Sequence, residues 1–123
     1  MEVFYSREFA GSIEKAIQLA ESKTSCEFKI HIEEFCNEDV YDRAAYVFSE
    51  LKLHKTQRRN AVLIYLAYLS RKIVILADVG ARKNLSETFI QNEINLLVED
   101  FKQENYISGI TDLLERLANS LIA

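Results

Sequence analysis

Residues 61–78 read AVLIYLAYLSRKIVILAD, and this stretch decides the fold. The part that begins at Ala61 is apolar on both sides, as expected of a β-strand that is covered on two faces. A second apolar segment follows after only three residues, SRK, and a turn this short can join only neighbouring antiparallel strands. The stretch therefore predicts an antiparallel strand pair with members at residues 61–67 and 72–78.

An alternating segment earlier in the chain predicts a third strand. Residues 26–33, CEFKIHIE, place apolar and polar side chains in strict alternation, which is the pattern of a strand with one buried face. A helical segment separates this strand from residues 61–67, so we expect a right-handed crossover and parallel pairing between the two. The alternating strand suits an edge of the sheet, and the apolar strand suits its centre.

Apolar residues at helical spacing predict four amphipathic helices around the strands. Ser6 can cap the first helix, and a break near Asn105 separates the last two. Either Asn37 or Asp39 can cap the second helix. The apolar stripes consist of Phe9, Ile13, Ala16, Ile17 and Ala20; of Val40, Ala44, Val47, Phe48 and Leu51; of Ile90, Ile94, Leu97, Val98 and Phe101; and of Tyr106, Ile110, Leu113, Leu114, Leu117 and Leu121. The order helix-strand-helix-strand-strand-helix-helix predicts an α/β fold, a three-layer α/β/α sandwich with a small mixed sheet.

Composition indicates a globular protein that forms one domain over residues 1–123. Hydrophobic residues make up 49% of the chain and charged residues 28%, both ordinary for this class. The net charge of −4 argues against nucleic acid as a partner, since phosphate binding relies on clustered Lys and Arg. No apolar run suits a signal peptide or a membrane span, so we expect a cytoplasmic protein without direct membrane insertion. In that compartment Cys26 and Cys36 are expected to be reduced thiols.

The expected topology brings three polar residues to one end of the sheet. Parallel strands start at the same end and the antiparallel third strand returns there, so Glu27, Asn60 and Asp78 should lie close together. Asp78 follows a buried strand, where a carboxylate needs helix amides, a nearby cation or a metal as its partner. We interpret Asp78 either as a helix cap or, with Asn60 and Glu27, as a ligand of a weak calcium or magnesium site. No other cofactor is expected.

Two further charged segments flank the strands. One is expected at the opposite end of the sheet and consists of Glu33, Glu34, Glu38 and Asp39. The other is the loop HKTQRRN, in which Lys55, Arg58 and Arg59 could bind a phosphate or a carboxylate. A solvated loop is the alternative, because no glycine-rich cradle accompanies these cations. His31, on the polar side of its strand, is interpreted as a surface histidine.

No catalytic signature is present in the sequence. It contains no Gly-x-Ser-x-Gly elbow, no His-Glu-x-x-His, no Cys-x-x-Cys and no phosphate-binding glycine loop. Two histidines and two well-separated cysteines also argue against a dedicated zinc site. We therefore assign no catalytic residues.

Three segments carry a resemblance to a known family. They are KTSCEFKIHIEEFC, DVYDRAAYVFSELKLHKTQRRNAVLIYLAY and ADVGA, followed by two amphipathic helices. In order and spacing they resemble the TPM domain, and in particular its short, soluble, stand-alone bacterial branch. The resemblance allows divalent-ion binding, as in some TPM domains, and phosphatase activity, as in a chloroplast member described as an acid phosphatase. Cys26 and Ala61 depart from the family pattern, which usually has glycine at both positions.

Three functional hypotheses follow from these observations. The first is a cytoplasmic TPM-like interaction or assembly module with a weak divalent-ion site. Its partner would be a protein, such as a component of a membrane-associated complex. The alternative is a weak metal-assisted acid phosphatase, in which Asp78 holds the metal and Arg58 or Arg59 steers the substrate phosphate. The third is a purely structural partner of a membrane-associated complex, which would use exposed apolar or charged helix faces.

Overall fold

The computed structural model describes residues 2–122, and its main helices and strands follow the predicted order. Within these residues the helices are α1 (Arg7–Lys23), α2 (Val40–Glu50), α3 (Val79–Arg82), α4 (Glu87–Lys102) and α5 (Tyr106–Ser120), and the strands are β1 (Glu27–Glu33), β2 (Ala61–Ala67) and β3 (Lys72–Ala77). The structure adds the one-turn helix α3 and 3₁₀ turns at Glu2–Tyr5 and Leu53–Lys55, which are too short to produce a periodic apolar stripe. The predicted α/β class with a small mixed sheet is confirmed.

The three strands form one sheet in the order β1-β2-β3. β1 pairs with β2 in parallel, beginning with Glu27 opposite Ala61. β2 pairs with β3 in antiparallel orientation, beginning with Val62 opposite Ala77. Every residue of β2 is buried, and this strand lies between the other two. The predicted pairing, and the central place of the apolar strand, are confirmed.

One face of the sheet packs against α2. The shared core consists of Cys36, Ala44, Val47, Phe48, Leu53, Ala61, Leu63, Tyr65, Ala67 and Val74. Alternate residues of β2 and the predicted stripe of α2 supply most of this core, as their periods of 2 and 3.6 require. Asp39 is the helix cap, because its carboxylate accepts hydrogen bonds from the amides of Tyr41 and Asp42 at 2.9 and 3.0 Å.

The chain folds into two compact units, which we describe separately. Residues 26–84 contain the sheet, α2 and α3. Residues 2–25 and 85–122 contain α1, α4 and α5. The assignment of one domain to residues 1–123 stays a prediction.

In the helical unit, α5 packs against both α1 and α4. The buried residues of α5 include Ile110, Leu113, Leu114 and Leu117, all members of its predicted stripe. Gly109 permits the close approach of α4, since a Cβ atom there would lie only 2.9 Å from the Cβ atom of Asp100. Among the helices within residues 2–122, none is long and apolar enough to cross a membrane.

Candidate functional site

Strand pairing brings Glu27 and Asp78 into one row across the sheet. Glu27 lies opposite Ala61, and the amide of Asp78 donates a 2.9 Å hydrogen bond to the carbonyl of the same Ala61. At the usual strand spacing the Cα atoms of Glu27 and Asp78 are roughly 10 Å apart. Asn60 is buried and directly precedes this row.

The carboxylate of Asp78 is buried and already has three donors. Asp78 is only 5% exposed. Its oxygens accept hydrogen bonds from Arg59 Nε at 2.7 Å, from Arg59 Nη2 at 3.0 Å and from the Val79 amide at 2.8 Å. The hydrogen bonds from Arg59 lower the pKa of Asp78, against the opposing effect of burial. Asp78 is therefore both the cap of α3 and the counter-ion of an arginine.

The backbone of the basic loop rests on the start of α3. The amide of Gly80 donates a 2.6 Å hydrogen bond to the carbonyl of Arg59, which has a left-handed φ of 52°. A Cβ atom at Gly80 would lie 2.3 Å from the carbonyl oxygen of Arg58 and 2.6 Å from that of Arg59. Only glycine permits this approach, so the Asp-x-Gly element holds the loop in place.

A cation at Asp78 would have to replace Arg59. Within residues 2–122 no three His, Cys, Asp or Glu side chains are grouped so that they could hold a metal ion. Glu27 is exposed, and both oxygens of Asp78 are engaged by Arg59. In this conformation the residues at the row do not fit a divalent ion. Of the candidate anion-binding residues, Arg59 is paired with Asp78, whereas Lys55 and Arg58 are exposed.

A second polar cluster lies at the opposite end of the sheet and is centred on Glu33. Arg43 on α2 donates two hydrogen bonds to this carboxylate, from Nε at 2.9 Å and from Nη2 at 2.8 Å. The buried hydroxyl of Tyr65 also donates to Glu33. His31 Nε2 lies 3.4 Å from Glu33 Oε1, and the His31 ring stacks on Tyr65 with 5.9 Å between centroids. Chiefly because of Arg43, the pKa of Glu33 falls to about 2.

Sequence reasoning missed this cluster as a unit. The His31 side chain is 32% exposed, so it reaches the surface as strand alternation predicted, and its ring also stacks on Tyr65. The sequence did contain one indication of this cluster. Tyr65 places a hydroxyl in an otherwise apolar buried strand, and a buried hydroxyl needs a hydrogen-bond partner. The identity of that partner depends on the strand register and on the position of α2.

The loop after β1 is tied to the sheet beside this cluster. Lys72 Nζ donates to the carbonyls of Cys36 at 3.1 Å and Glu38 at 3.4 Å, and the Cys36 amide donates to Ser70 Oγ at 3.0 Å. An open depression of about 300 Å³ lies here and is lined by Glu33, Phe35, Cys36, Asn37, Glu38 and Arg43. These hydrogen bonds thus hold in place the loop that forms one wall of the depression.

Three exposed aromatic residues belong to this segment of the chain, and one of them, Phe35, lines the depression. Phe35 is 58% exposed, Tyr41 66% and Tyr46 54%. The Arg43 guanidinium lies 5.4 Å from the centroid of the Tyr46 ring, so it links the depression to the outer side of α2. We call the residues Phe35, Tyr41, Asp42, Arg43 and Tyr46 the α2 surface.

The fold and the two polar ends define a class of small α/β domain, with a β1-β2-β3 mixed sheet and an Asp-x-Gly turn that holds a basic loop. Residues 4–120 match the family model of the TPM domain, and the chain belongs to this family.

Two solved bacterial structures are similar to this chain. The BA42 protein of the psychrophilic bacterium Bizionia argentinensis is 36% identical, with a TM-score of 0.86, over 94% of this chain and 80% of that one. The N-terminal domain of a protein from P. gingivalis is 13% identical, with a TM-score of 0.78, over 94% of this chain and 75% of that one. The second likeness shows the fold alone. No curated protein sequence matches the chain.

Proposed function

We propose that this TPM domain is a cytoplasmic interaction module that binds a protein partner through the α2 surface. The observation that carries the proposal is the exposure of Phe35, Tyr41 and Tyr46, each more than half accessible. Arg43 lies against the Tyr46 ring and lines the depression together with Phe35. Aromatic residues and arginine are the types enriched at protein interfaces, and they supply most of the energetic hot spots. Burying three such rings against a partner would remove a large apolar area from water.

The support beneath the α2 surface favours binding without reorganisation. Arg43 is held by two hydrogen bonds to Glu33, which is in turn bonded to the buried Tyr65. The inner face of α2 is buried in the core of its unit. Because Arg43 is already held in place, it loses less conformational entropy when a partner binds, which favours affinity.

Site-specific photo-cross-linking tests this proposal. A photoreactive amino acid is placed at position 35, 41 or 46 in the living cell, with position 96 on α4 as the matched exposed control, since Leu96 is also accessible. We expect one protein, identified by mass spectrometry, to be cross-linked from all three α2-surface positions and not from position 96. Equal cross-linking from all four positions would contradict the proposal.

A weak calcium or magnesium site at Asp78, Asn60 and Glu27 is a second proposal. Its support is the ionised carboxylate of Asp78, which lies in one row with Glu27. Because Arg59 would have to leave, we expect affinity in the weak range, on the order of 10⁻⁴ to 10⁻³ M.

The alternative of a weak metal-assisted acid phosphatase stays a prediction. It would require Asp78 to exchange Arg59 for a metal and would leave Arg58 to bind the phosphate. Hydrolysis of p-nitrophenyl phosphate at acidic pH, with and without magnesium and with an Asp78→Asn control, measures it directly.

A further inference from the structure

The charge of this chain is distributed very unevenly. Residues 33–50 contain six carboxylates and one guanidinium, a net charge of −5. The whole chain has a net charge of −4, so the remaining residues together carry +1. The acidic groups are Glu33, Glu34, Glu38, Asp39, Asp42 and Glu50. All of the net negative charge therefore resides in the segment that also contains Phe35, Tyr41 and Tyr46.

Most of these carboxylates are accessible. Glu33 is neutralised by Arg43, and Asp39 is engaged with the first amides of α2. The other four are Glu34, Glu38, Asp42 and Glu50, and all four are exposed. Asp42 and Glu50 lie one helical turn on either side of Tyr46, and a hydrogen bond to Glu50 raises the pKa of Tyr46. Charged oxygens thus flank an exposed ring on α2.

We propose that the α2 surface docks a lysine- and arginine-rich segment of a partner protein. This inference rests on the proposed function and names the chemistry of its partner. Cations bind the faces of aromatic rings, carboxylates accept charge-assisted hydrogen bonds, and the alkyl stems of Lys and Arg cover apolar surface. The contact between Arg43 and Tyr46 already has the geometry that an incoming arginine would use at the other rings.

Charge complementarity also favours a basic protein segment over other possible binding partners of the α2 surface. An anionic lipid surface or a nucleic acid would be repelled by the exposed carboxylates. A second copy of this chain, docked through the same surface, would place like charges opposite each other, which costs binding free energy. A basic protein segment is the occupant that both the rings and the carboxylates attract.

Titration with nona-arginine peptide tests the inference, with nona-glutamate as the matched control peptide. Amide chemical shifts of the ¹⁵N-labelled full chain locate binding, and fluorescence anisotropy of the labelled peptide measures its dissociation constant. We expect the largest shifts within residues 34–50, weaker binding as salt is raised, and no binding of nona-glutamate. Shifts spread evenly over the chain, or largest outside residues 34–50, would overturn the inference.

Paired variants separate docking from general attraction between charges. Tyr41→Ala/Tyr46→Ala should weaken nona-arginine binding about tenfold. Tyr5→Ala, at a ring that is 70% exposed elsewhere, should leave it unchanged.

Neutralising carboxylates gives a second pair. Glu38→Gln/Asp42→Asn should weaken binding more than Glu14→Gln/Glu115→Gln, which removes the same charge from exposed positions in the helical unit. Two outcomes would overturn the inference. One is an equal loss of nona-arginine affinity in the two double variants, and the other is amide shifts with spermine alone that equal those with nona-arginine.

The two proposals can fail separately. A partner cross-linked from position 46 whose bound segment is not basic would overturn this inference and leave the interaction function standing. Nona-arginine binding on the α2 surface without any cross-linked partner would contradict the interaction function instead.

Discussion

At the scale of single residues, Arg59 occupies the place that a cation would need beside Asp78. Its two hydrogen bonds leave neither carboxylate oxygen free of a donor. The guanidinium is a built-in counter-ion, and it must leave before an added ion can bind.

Replacing Arg59 by methionine should therefore strengthen calcium binding at least tenfold, since the competing charge-assisted hydrogen bonds are removed. Isothermal titration and amide shifts measure the change. Arg58→Met is the control, because it removes the same charge from the neighbouring exposed position. If the largest calcium shifts occur at residues 34–42, or persist in Asp78→Asn, the ion site lies at the other end of the sheet.

A second prediction concerns Glu33 and the dependence of protein stability on pH. Its pKa falls from an ordinary value of 4.5 to about 2 in the fold. Such a group stabilises the fold above its unfolded pKa, and this contribution is lost as the pH falls from about 4.5 toward about 2. Glu33→Gln should lower the free energy of unfolding by about 1–3 kcal/mol at pH 7.

The difference in the free energy of unfolding between wild type and Glu33→Gln should be smaller at pH 3 than at pH 7. Urea unfolding at the two pH values measures it. Glu34→Gln, at the exposed adjacent position, should change the free energy of unfolding by less than about 0.5 kcal/mol. A difference between Glu33→Gln and wild type that is the same at both pH values would show that Glu33 contributes by packing and not by its charge.

At the scale of elements, the junction between the basic loop and α3 depends on one missing side chain. Gly80→Ala would place a Cβ atom within 2.6 Å of two backbone carbonyl oxygens. Backbone cannot yield as a flexible side chain can, so we expect a loss of about 1–3 kcal/mol in the free energy of unfolding.

Gly11→Ala is the matched control for Gly80→Ala. Gly11 lies within α1, and a Cβ atom there meets nothing within 4 Å. Because alanine has the higher helix propensity, this change should stabilise the protein by up to about 1 kcal/mol. Denaturant unfolding measures both variants, and equal effects would mean that the approach of Arg58 and Arg59 is not what requires Gly80.

The elements also differ in how far they could be predicted. The stripe of α2 and the alternation of β1 depend on local periodicity, so their positions were predictable. Helix α3 has only four residues and no periodic signal, and only the interpretation of Asp78 as a helix cap indicated it. Asp78 and Arg59 were both candidate site residues, but their pairing was not predicted. Sequence cannot show which of several donors will reach a carboxylate.

At the scale of the whole molecule, the two cysteines report on global stability. Cys26 and Cys36 are both buried, and neither is part of a disulfide. We expect native protein to react slowly with a thiol reagent, and both cysteines to react rapidly once it unfolds. Mass spectrometry of timed samples counts the labels, and Ser22→Cys, at an exposed position, serves as the rapidly reacting control. A native mass two protons lighter that reductant restores would instead indicate a disulfide.

The sequence by itself determined the α/β class, the parallel and antiparallel pairing of the strands, and the family, because these depend on local hydrophobic periodicity, short connections and segment order. Only the tertiary structure decided the partners of the polar groups. Arg59 joins Asp78 across 19 positions of the chain, and Glu33 gathers Arg43 from α2 and Tyr65 from β2 as well as His31 from its own strand. Such hydrogen bonds depend on register and on side-chain reach within a few ångströms, which hydrophobic patterning does not encode.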